Sequence, residues 1–350
     1  MRGIVRGSAY VPRDPETGGA RAEWDEDGFT LAATAIERLA DPQGEIPVPA
    51  RLLLVGDLPP SAEANLPRFL GVAIPVERCG NGPTGVRAAF ERASESPPES
   101  GPALLVAVDL AGDRPEDSLA SAAGAGDAAV AVWIDEGGLP FSERPDLRSP
   151  AESPAGSTGA LFALARADAE RDLDGWRGER AGPSAAERGE GPSSGGRPML
   201  RPNEPVSQGA YVPAPRYVEN LPSRWRLAAD RCGRCGALTF PSRGRCRECG
   251  ARGGFTTVHL PPDGATVVAS TVIGSGGQPT EFDDQVSSRG PYAVVLVELA
   301  AGVRVTLQMT GTASGPIPVG TRVSTRLRRL YPMEGDWRYG RKALPFAAPS

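Results

Sequence analysis

Four of the five cysteines in this chain of 350 residues lie in two closely spaced pairs within one short segment. Cys232 and Cys235 form the first Cys-x-x-Cys pair, and Cys246 and Cys249 form the second. Each pair lets two thiolates reach one ion from a tight turn, and four sulfurs complete a tetrahedron with no position left for water. The spacing therefore predicts one structural Zn²⁺ site rather than a catalytic metal site.

Two disulfides or four unligated thiols are the alternative interpretation of these cysteines. The N-terminus lacks the apolar core of a secretory signal, and no apolar run is long enough to span a membrane. We therefore expect a soluble cytoplasmic protein with no membrane partner, in which reduced thiols favour metal over disulfides. Arginines at 231, 234, 245 and 247 flank the cysteines. They would either offset the negative charge of the sulfurs or face a ligand phosphate.

Charge is distributed unevenly along the chain. The formal net charge is −5, whereas residues 222–350 contain 17 Arg or Lys against 9 Asp or Glu. The C-terminal part is therefore basic and the remainder acidic. A basic surface suits an anionic ligand or an acidic partner surface.

Composition and periodicity divide the chain into four regions and predict an α/β part followed by an all-β part. Residues 1–137 alternate apolar strands with helices, which indicates a sheet covered on both faces. Residues 138–205 are rich in Pro, Gly, Ser, Glu and Arg, so we expect a flexible linker with one short helix at 158–173. Residues 206–255 contain a helical arm and the cysteine pairs. Residues 256–350 contain five predicted strands, the first at Thr256, which indicates a small OB-fold barrel.

The C-terminal motifs occur in an order that resembles a known family. A helical arm precedes "RCGRCGALTFPSRGRCRECG", "GATVVASTVI", "GPYAVVLVELAAGVRVTLQMTG", "PVGTRVSTRL" and "WRYGRKALPF". This series, over about residues 209–346, is similar to the zinc-ribbon and OB-fold family called domain of unknown function 35 (DUF35). The resemblance implies a rubredoxin-like zinc ribbon beside an OB-fold barrel. It also implies an acyl-CoA-associated accessory subunit or scaffold, whose partner is a thiolase or hydroxymethylglutaryl-CoA synthase-type enzyme.

Residues 1–137 resemble the opening of hydroxymethylglutaryl-CoA synthases and related thiolase-fold proteins. The segments "GIVRGSAYVPR", "DEDGFTLAATAIERL", "LLVAVDLA" and "GAGDAAVAVWI" carry this resemblance. It implies a truncated thiolase-like half-domain fused to the DUF35-like part. It also places Cys79 near the family nucleophile and Asp57 near the family's catalytic glutamate.

Cys79 is the candidate catalytic residue because it precedes a predicted helix, whose dipole favours a thiolate. Acyl transfer also needs a group that moves protons, but the single histidine of the chain, His259, lies far from this region in sequence. We therefore predict no catalytic set here. An inert, partly buried thiol is the alternative interpretation of Cys79.

Two further polar features have a structural and a functional interpretation. His259 is interpreted as a strand residue at the junction of ribbon and barrel rather than as a base. Glu281, Asp283 and Asp284 are interpreted as a solvated turn rather than as a site for a hard cation.

The arginines of "RLRRL" are the candidate ligand-binding residues. Arg326, Arg328 and Arg329 lie on a predicted barrel strand. They either form a solvated face or contact the 3′-phosphate and pyrophosphate of CoA or an acyl-CoA.

Three functions remain in competition. We favour a non-catalytic acyl-CoA-associated scaffold subunit that binds structural zinc and docks with a thiolase or hydroxymethylglutaryl-CoA synthase-type enzyme. The first alternative is a nucleic-acid-binding zinc-ribbon and OB-fold protein, which the scarcity of strand aromatics for base stacking disfavours. The second is an acyl-transferring enzyme that uses Cys79.

Overall fold

In the computed structural model the chain divides into two compact units, residues 1–181 and 182–350. The described residues are 2–10, 25–41, 44–95, 97–110, 128–136, 177–178, 214–274, 276–300, 302–311, 315–333 and 336–346. The predicted linker 138–205, including its predicted helix, lies outside them except for residues 177–178. Among the described helices, none has the length and apolar character needed to cross a membrane.

A six-stranded mixed sheet forms the centre of the first unit. Its strands are β1 (Arg2–Tyr10), β2 (Arg51–Gly56), β3 (Val76–Arg78), β4 (Ala103–Asp109), β5 (Ala128–Glu136) and β6 (Arg177–Gly178). Their spatial order is β3-β2-β4-β5-β1-β6. Strands β2, β3 and β4 are mutually parallel, whereas β5 is antiparallel to both β4 and β1. The carboxyl ends of the three parallel strands therefore meet at one edge of the sheet.

The first unit has three described helices: α1 (Gly28–Glu37), α2 (Ala62–Leu70) and α3 (Gly82–Glu95). Helices α1 and α3 pack on the sheet, and α2 packs against α1. Asp27 and Thr30 form a reciprocal capping box that fixes the start of α1. Nine of the ten residues of α1 are buried, and the helix contacts β1, β4 and β5. Gly28 cannot be larger, because a Cβ there would lie 2.1 Å from the carbonyl oxygen of Asp57.

The described part of the second unit starts with two short helices and a three-stranded antiparallel sheet. The helices are α4 (Ala214–Glu219) and α5 (Leu221–Arg226). The strands are β7 (Ala228–Cys232), β8 (Leu238–Thr239) and β9 (Phe255–His259), in the order β8-β7-β9. The two cysteine pairs lie in and between these strands.

A five-stranded antiparallel sheet follows, in the order β12-β11-β10-β13-β14. Its strands are β10 (Ala265–Ile273), β11 (Tyr292–Ala300), β12 (Val303–Gln308), β13 (Arg322–Met333) and β14 (Asp336–Pro345). A 3-10 helix (Thr280–Phe282) and helix α6 (Asp283–Arg289) connect β10 to β11. A parallel bridge between Met309 and Ala343 joins the end of β12 to β14. This bridge links the two ends of the strand order, so the strands form a ring.

The strand prediction for residues 256–350 needs one correction. Phe255–His259 was expected to open the barrel, but it pairs with β7 and belongs to the three-stranded sheet. The fifth strand of the larger sheet is instead β14, which pairs with β13 along ten register positions. A strand of either sheet can have the same alternation of apolar and polar residues. The sequence pattern alone therefore could not show that β9 pairs with β7.

The hydroxyl of Tyr217 connects the helical arm, which consists of α4 and α5, to the edge of β14. The hydroxyl of Tyr217 donates to the carbonyl of Tyr339 at 3.0 Å and accepts from the amide of the same residue at 2.9 Å. The indole N–H of Trp225 also donates to the Tyr339 carbonyl, at 3.1 Å. Burial raises the pKa of Tyr217, so the phenol remains protonated and able to donate. Tyr217 thus satisfies backbone groups that a neighbouring strand would otherwise pair.

Tyr217→Phe should destabilise the second unit by about 1–3 kcal/mol, because it leaves the buried N–H of Tyr339 in β14 unsatisfied. Hydrogen exchange of the 336–345 peptide should speed up correspondingly. Tyr292→Phe is the matched control, since no hydrogen bond is seen for its half-buried hydroxyl among the described residues. Equal protection of the peptide in both variants would contradict the role of the Tyr217 hydroxyl.

Candidate functional site

The sulfurs of the two cysteine pairs converge on one point. Cys232 Sγ lies 3.7 Å from Cys249 Sγ, and Cys235 Sγ lies 3.6 Å from Cys246 Sγ. All four sulfurs lie within 4.8 Å of one another. Tetrahedral ligands about 2.3 Å from a zinc ion would be about 3.8 Å apart. A disulfide would need about 2.05 Å, and all four cysteines are free. The cluster can therefore hold a metal ion, and its dimensions are compatible with zinc.

Each Cys-x-x-Cys pair lies in a tight turn, called a knuckle here, and the two knuckles have the same backbone hydrogen bond. The Gly236 N–H donates to the Cys232 carbonyl at 2.8 Å, and the Gly250 N–H donates to the Cys246 carbonyl at 3.1 Å. These glycines have φ values of 75° and 72°. A side chain is strained in that left-handed region, so glycine after the second cysteine allows each turn to close.

Backbone amides and shared protons set the ionisation of the sulfurs. The Cys249 N–H donates to Cys246 and lowers the pKa of this thiol to about 7, against an opposing effect of burial. The Ala237 N–H donates to Cys235 and by itself would lower the pKa of that thiol. Hydrogen bonds with the sulfurs of Cys249 and Cys246 outweigh this effect and raise the pKa of Cys235 to about 12. The thiols therefore share protons, which a bound metal ion would displace.

Cys79 lies just beyond β3 and is 8% exposed. Its sulfur belongs to the apolar cluster that includes Val86 and Phe90 of α3. Burial raises the pKa of the Cys79 thiol, and this outweighs the lowering effect of Arg92, whose guanidinium lies 3.6 Å away. Burial therefore opposes ionisation of this thiol, although a helix follows it. Neither the catalytic nor the inert interpretation of Cys79 is tested by this environment, and both stay predictions.

Asp57 lies at the carboxyl end of β2, next to the strand that leads to Cys79. Its side chain is exposed and accepts the Leu110 N–H at 3.1 Å. No hydrogen bond joins the Asp57 and Cys79 side chains in the part of the chain that is described. The structure therefore brings the two residues to one sheet edge without linking them.

The remaining titratable candidates are dispersed. His259 is half-buried on β9, in register with Ala228 of β7. Asp283 and Asp284 are exposed in the first turn of α6, and Glu281 lies in the 3-10 helix before it. Within the described residues, the four cysteines are the one group of side chains placed to hold a metal ion.

The three candidate CoA-binding arginines do not share an exposed face. Arg326 is buried and forms an ion pair with Asp263 at 2.7 Å. Arg328 is 1% exposed and donates to the Leu327 carbonyl. Arg329 stacks over the Trp337 ring at 4.7 Å. These contacts do not favour phosphate binding, which stays a prediction. Asp263 was not identified from the sequence, because nothing in the local pattern links it to a strand some sixty residues later.

The sequence comparisons cover a little over a third of the chain. No family model matches. A DUF35 domain-containing scaffold protein from Methanothermobacter thermautotrophicus is 31% identical over 132 residues, which are 37% of this chain and 94% of that protein. The chain belongs to the DUF35 family. A second DUF35 domain-containing scaffold protein, from Methanocaldococcus jannaschii, is 29% identical over 132 residues and 89% of its length.

Solved structures of two kinds are also similar to parts of the chain. The Ltp2-ChsH2(DUF35) aldolase is 26% identical, with 34% of this chain and 84% of that chain covered and a TM-score of 0.28. PksG, a hydroxymethylglutaryl-CoA synthase from Bacillus subtilis, is 20% identical, with 39% and 40% covered and a TM-score of 0.29. Membership of the DUF35 family rests on the sequence match.

Cys232→Ser should abolish stoichiometric zinc binding, because an incomplete tetrahedron lacks one thiolate ligand. Elemental analysis of protein purified under reducing conditions should return one zinc per chain for the wild type. Cys79→Ser is the control and should retain that zinc. The same zinc content in both variants would contradict the four-sulfur site.

Iodoacetamide should label Cys79 slowly at pH 7, because a raised pKa leaves little thiolate at that pH. The rate should increase as the pH rises above the ordinary thiol value of about 8.5. Arg92→Gln removes an interaction that lowers the pKa, so it should slow labelling further. Peptide mass spectrometry of the zinc-loaded protein measures these rates. Labelling of Cys79 at pH 7 faster than that of a free thiol would refute the prediction.

Proposed function

We propose that this chain is a non-catalytic, acyl-CoA-associated scaffold subunit that holds one structural Zn²⁺ and docks with a thiolase or hydroxymethylglutaryl-CoA synthase-type enzyme. The observation that carries the proposal is the match over 94% of a DUF35 domain-containing scaffold protein. The enzyme class of the partner comes from the resemblance of the C-terminal motifs, over about residues 209–346, to the DUF35 family. We propose that the scaffold is divided into four regions, which are residues 1–137, 138–205, 206–255 and 256–350.

The four cysteines would hold the zinc ion as a closed site. Cys232, Cys235, Cys246 and Cys249 provide four thiolates, so a tetrahedral ion has no free position for substrate or water. When bound, the ion would cross-link the two knuckles and stabilise their fold. The cysteine knuckles on the small β8-β7-β9 sheet support a rubredoxin-like ribbon.

The connectivity of the second unit supports an OB-fold barrel beside this ribbon. Starting at β10, the ring passes through β11, β12, β14 and β13 before it returns to β10. Among the described residues, the one parallel contact in the ring is the bridge from Met309 to Ala343. Five strands in a ring of this kind are the architecture proposed for the scaffold's barrel.

The first unit supports a non-catalytic role. The thiol of Cys79 is buried with a raised pKa, and Asp57 makes no hydrogen bond to it among the described residues. No histidine occurs in residues 1–221 to transfer protons. We therefore propose that the thiolase-like region contributes surface for docking rather than chemistry, and that acyl-CoA is a ligand of the assembly.

Co-expression of the full chain with thiolase-type and synthase-type enzymes of its source tests the proposal. Native mass spectrometry and size-exclusion chromatography should show a zinc-containing complex with one of them. Cys79→Ala should form the same complex and leave the partner's turnover unchanged. A chain that remains monomeric with every such enzyme and does not bind CoA would refute the scaffold function. Loss of acyl transfer in Cys79→Ala would favour an enzyme instead.

A further inference from the structure

The ribbon segment, defined here as residues 231–252, is strongly cationic. It contains six arginines and no lysine, against a single acidic residue, Glu248. All six arginine side chains are exposed. The arginines are Arg231, Arg234, Arg243, Arg245, Arg247 and Arg252.

The side chains of these arginines differ from those of the other described arginines of the second unit. Within the residues that the structure describes, none of the six side chains forms a hydrogen bond, an ion pair or a ring contact. Every described arginine of this unit outside the segment takes part in at least one hydrogen bond, ion pair, ring contact or other electrostatic interaction. Arg304 pairs with Glu298, for example, and Arg322 stacks over Phe346. The fold therefore satisfies its arginines elsewhere and leaves those of the ribbon segment available to another molecule.

The convergence of the sulfurs gathers these charges into one patch. Arg234 and Arg247 lie inside the two knuckles, and Arg231 and Arg245 directly precede them. Each of these four arginines is the direct sequence neighbour of a cysteine. The Cα atoms of neighbouring residues are about 3.8 Å apart. Because the four sulfurs lie within 4.8 Å of one another, the arginines start from a small common area. A bound metal ion would hold that area rigid, which lowers the entropic cost of docking.

The metal site does not account for this charge. Six arginines and one glutamate give the segment a formal charge of +5. Four thiolates with one divalent ion contribute −2, which leaves a surplus of +3. Offsetting the sulfurs, one of the two roles predicted for the flanking arginines, therefore uses less than half of the positive charge.

We infer that the ribbon segment is a docking surface for a carboxylate-rich protein surface, held by electrostatic attraction. The inference rests on the proposed scaffold function and names the surface through which the scaffold binds. Exposed arginine is a residue that protein interfaces favour, and opposite charge speeds association. A single nucleic-acid strand is a poorer fit because binding it relies on aromatic stacking. The one aromatic residue in the segment is Phe240, which is half-buried against the barrel core.

The test compares two double variants of the zinc-loaded full chain. Arg234→Gln/Arg247→Gln removes two charges from the patch. Arg216→Gln/Arg304→Gln removes two exposed charges from the same unit outside it. Binding to the enzyme found by co-expression should weaken about tenfold in the first variant and less than about twofold in the second. Wild-type affinity should also fall as salt rises from about 50 to 300 mM. Both variants should retain one zinc per chain, which shows that the ribbon remains folded.

The outcomes separate this inference from the scaffold function. A complex that tolerates salt, or that both variants weaken equally, overturns the docking surface and leaves the scaffold function standing. If no enzyme binds, the scaffold function fails, and poly-L-glutamate and a thymidine oligonucleotide become the probes. Preferential binding of poly-L-glutamate, lost in Arg234→Gln/Arg247→Gln alone, would still support the acidic-surface inference. Preferential binding of the oligonucleotide, or binding of neither probe, would overturn it.

Discussion

The convergence of four cysteine sulfurs is the constraint on which the second unit depends. The sheet that positions them has two strands of five residues and one of only two residues. So little regular structure cannot by itself bury enough apolar surface to hold two glycine-closed turns together. Structural zinc in small peptides contributes about 10–16 kcal/mol at neutral pH. That is comparable with the whole stability of an ordinary domain, about 5–15 kcal/mol. A bound ion would therefore decide whether this segment folds.

The ribbon is joined to the larger sheet through a shared apolar core. Leu227, Ala229 and Leu260, which flank or belong to the small sheet, pack in one cluster with Val267, Val295 and other residues of the five-stranded sheet. The helical arm is tied in by the hydroxyl of Tyr217 at the edge of β14. The shared core and the arm therefore support one another, and a bound metal ion would add to both. A ribbon held rigid in this way would present its arginines in a fixed arrangement, which is what the proposed docking surface requires.

The sequence predicts those parts of the molecule in which chemistry and spacing coincide. Two Cys-x-x-Cys pairs, each followed by glycine, define the sulfur cluster because the ligands come from two local turns. The apolar runs of β2, β4 and β5 likewise indicate a covered sheet. Helix α2 was missed because Pro67 lies within its pattern, although the helix forms and packs Leu66 and Phe69 inward.

Contacts between distant segments could not be predicted in the same way. Strand β9 was assigned to the barrel because pairing depends on a partner that the local pattern does not contain. The position of Arg326 depends on its ion pair with Asp263, and that of Arg328 on the burial of β13. Neither could be predicted from the local sequence of charged residues. The environment of Cys79 is a similar case: its helix was visible in the sequence, but the apolar cluster around its sulfur was not.

X-ray absorption spectroscopy at the zinc edge of the reduced, purified full chain tests the central claim most directly. The expected result is a single shell of four sulfur atoms at about 2.3 Å from the metal. A shell that contains nitrogen or oxygen ligands, or protein that takes up no zinc, would contradict it.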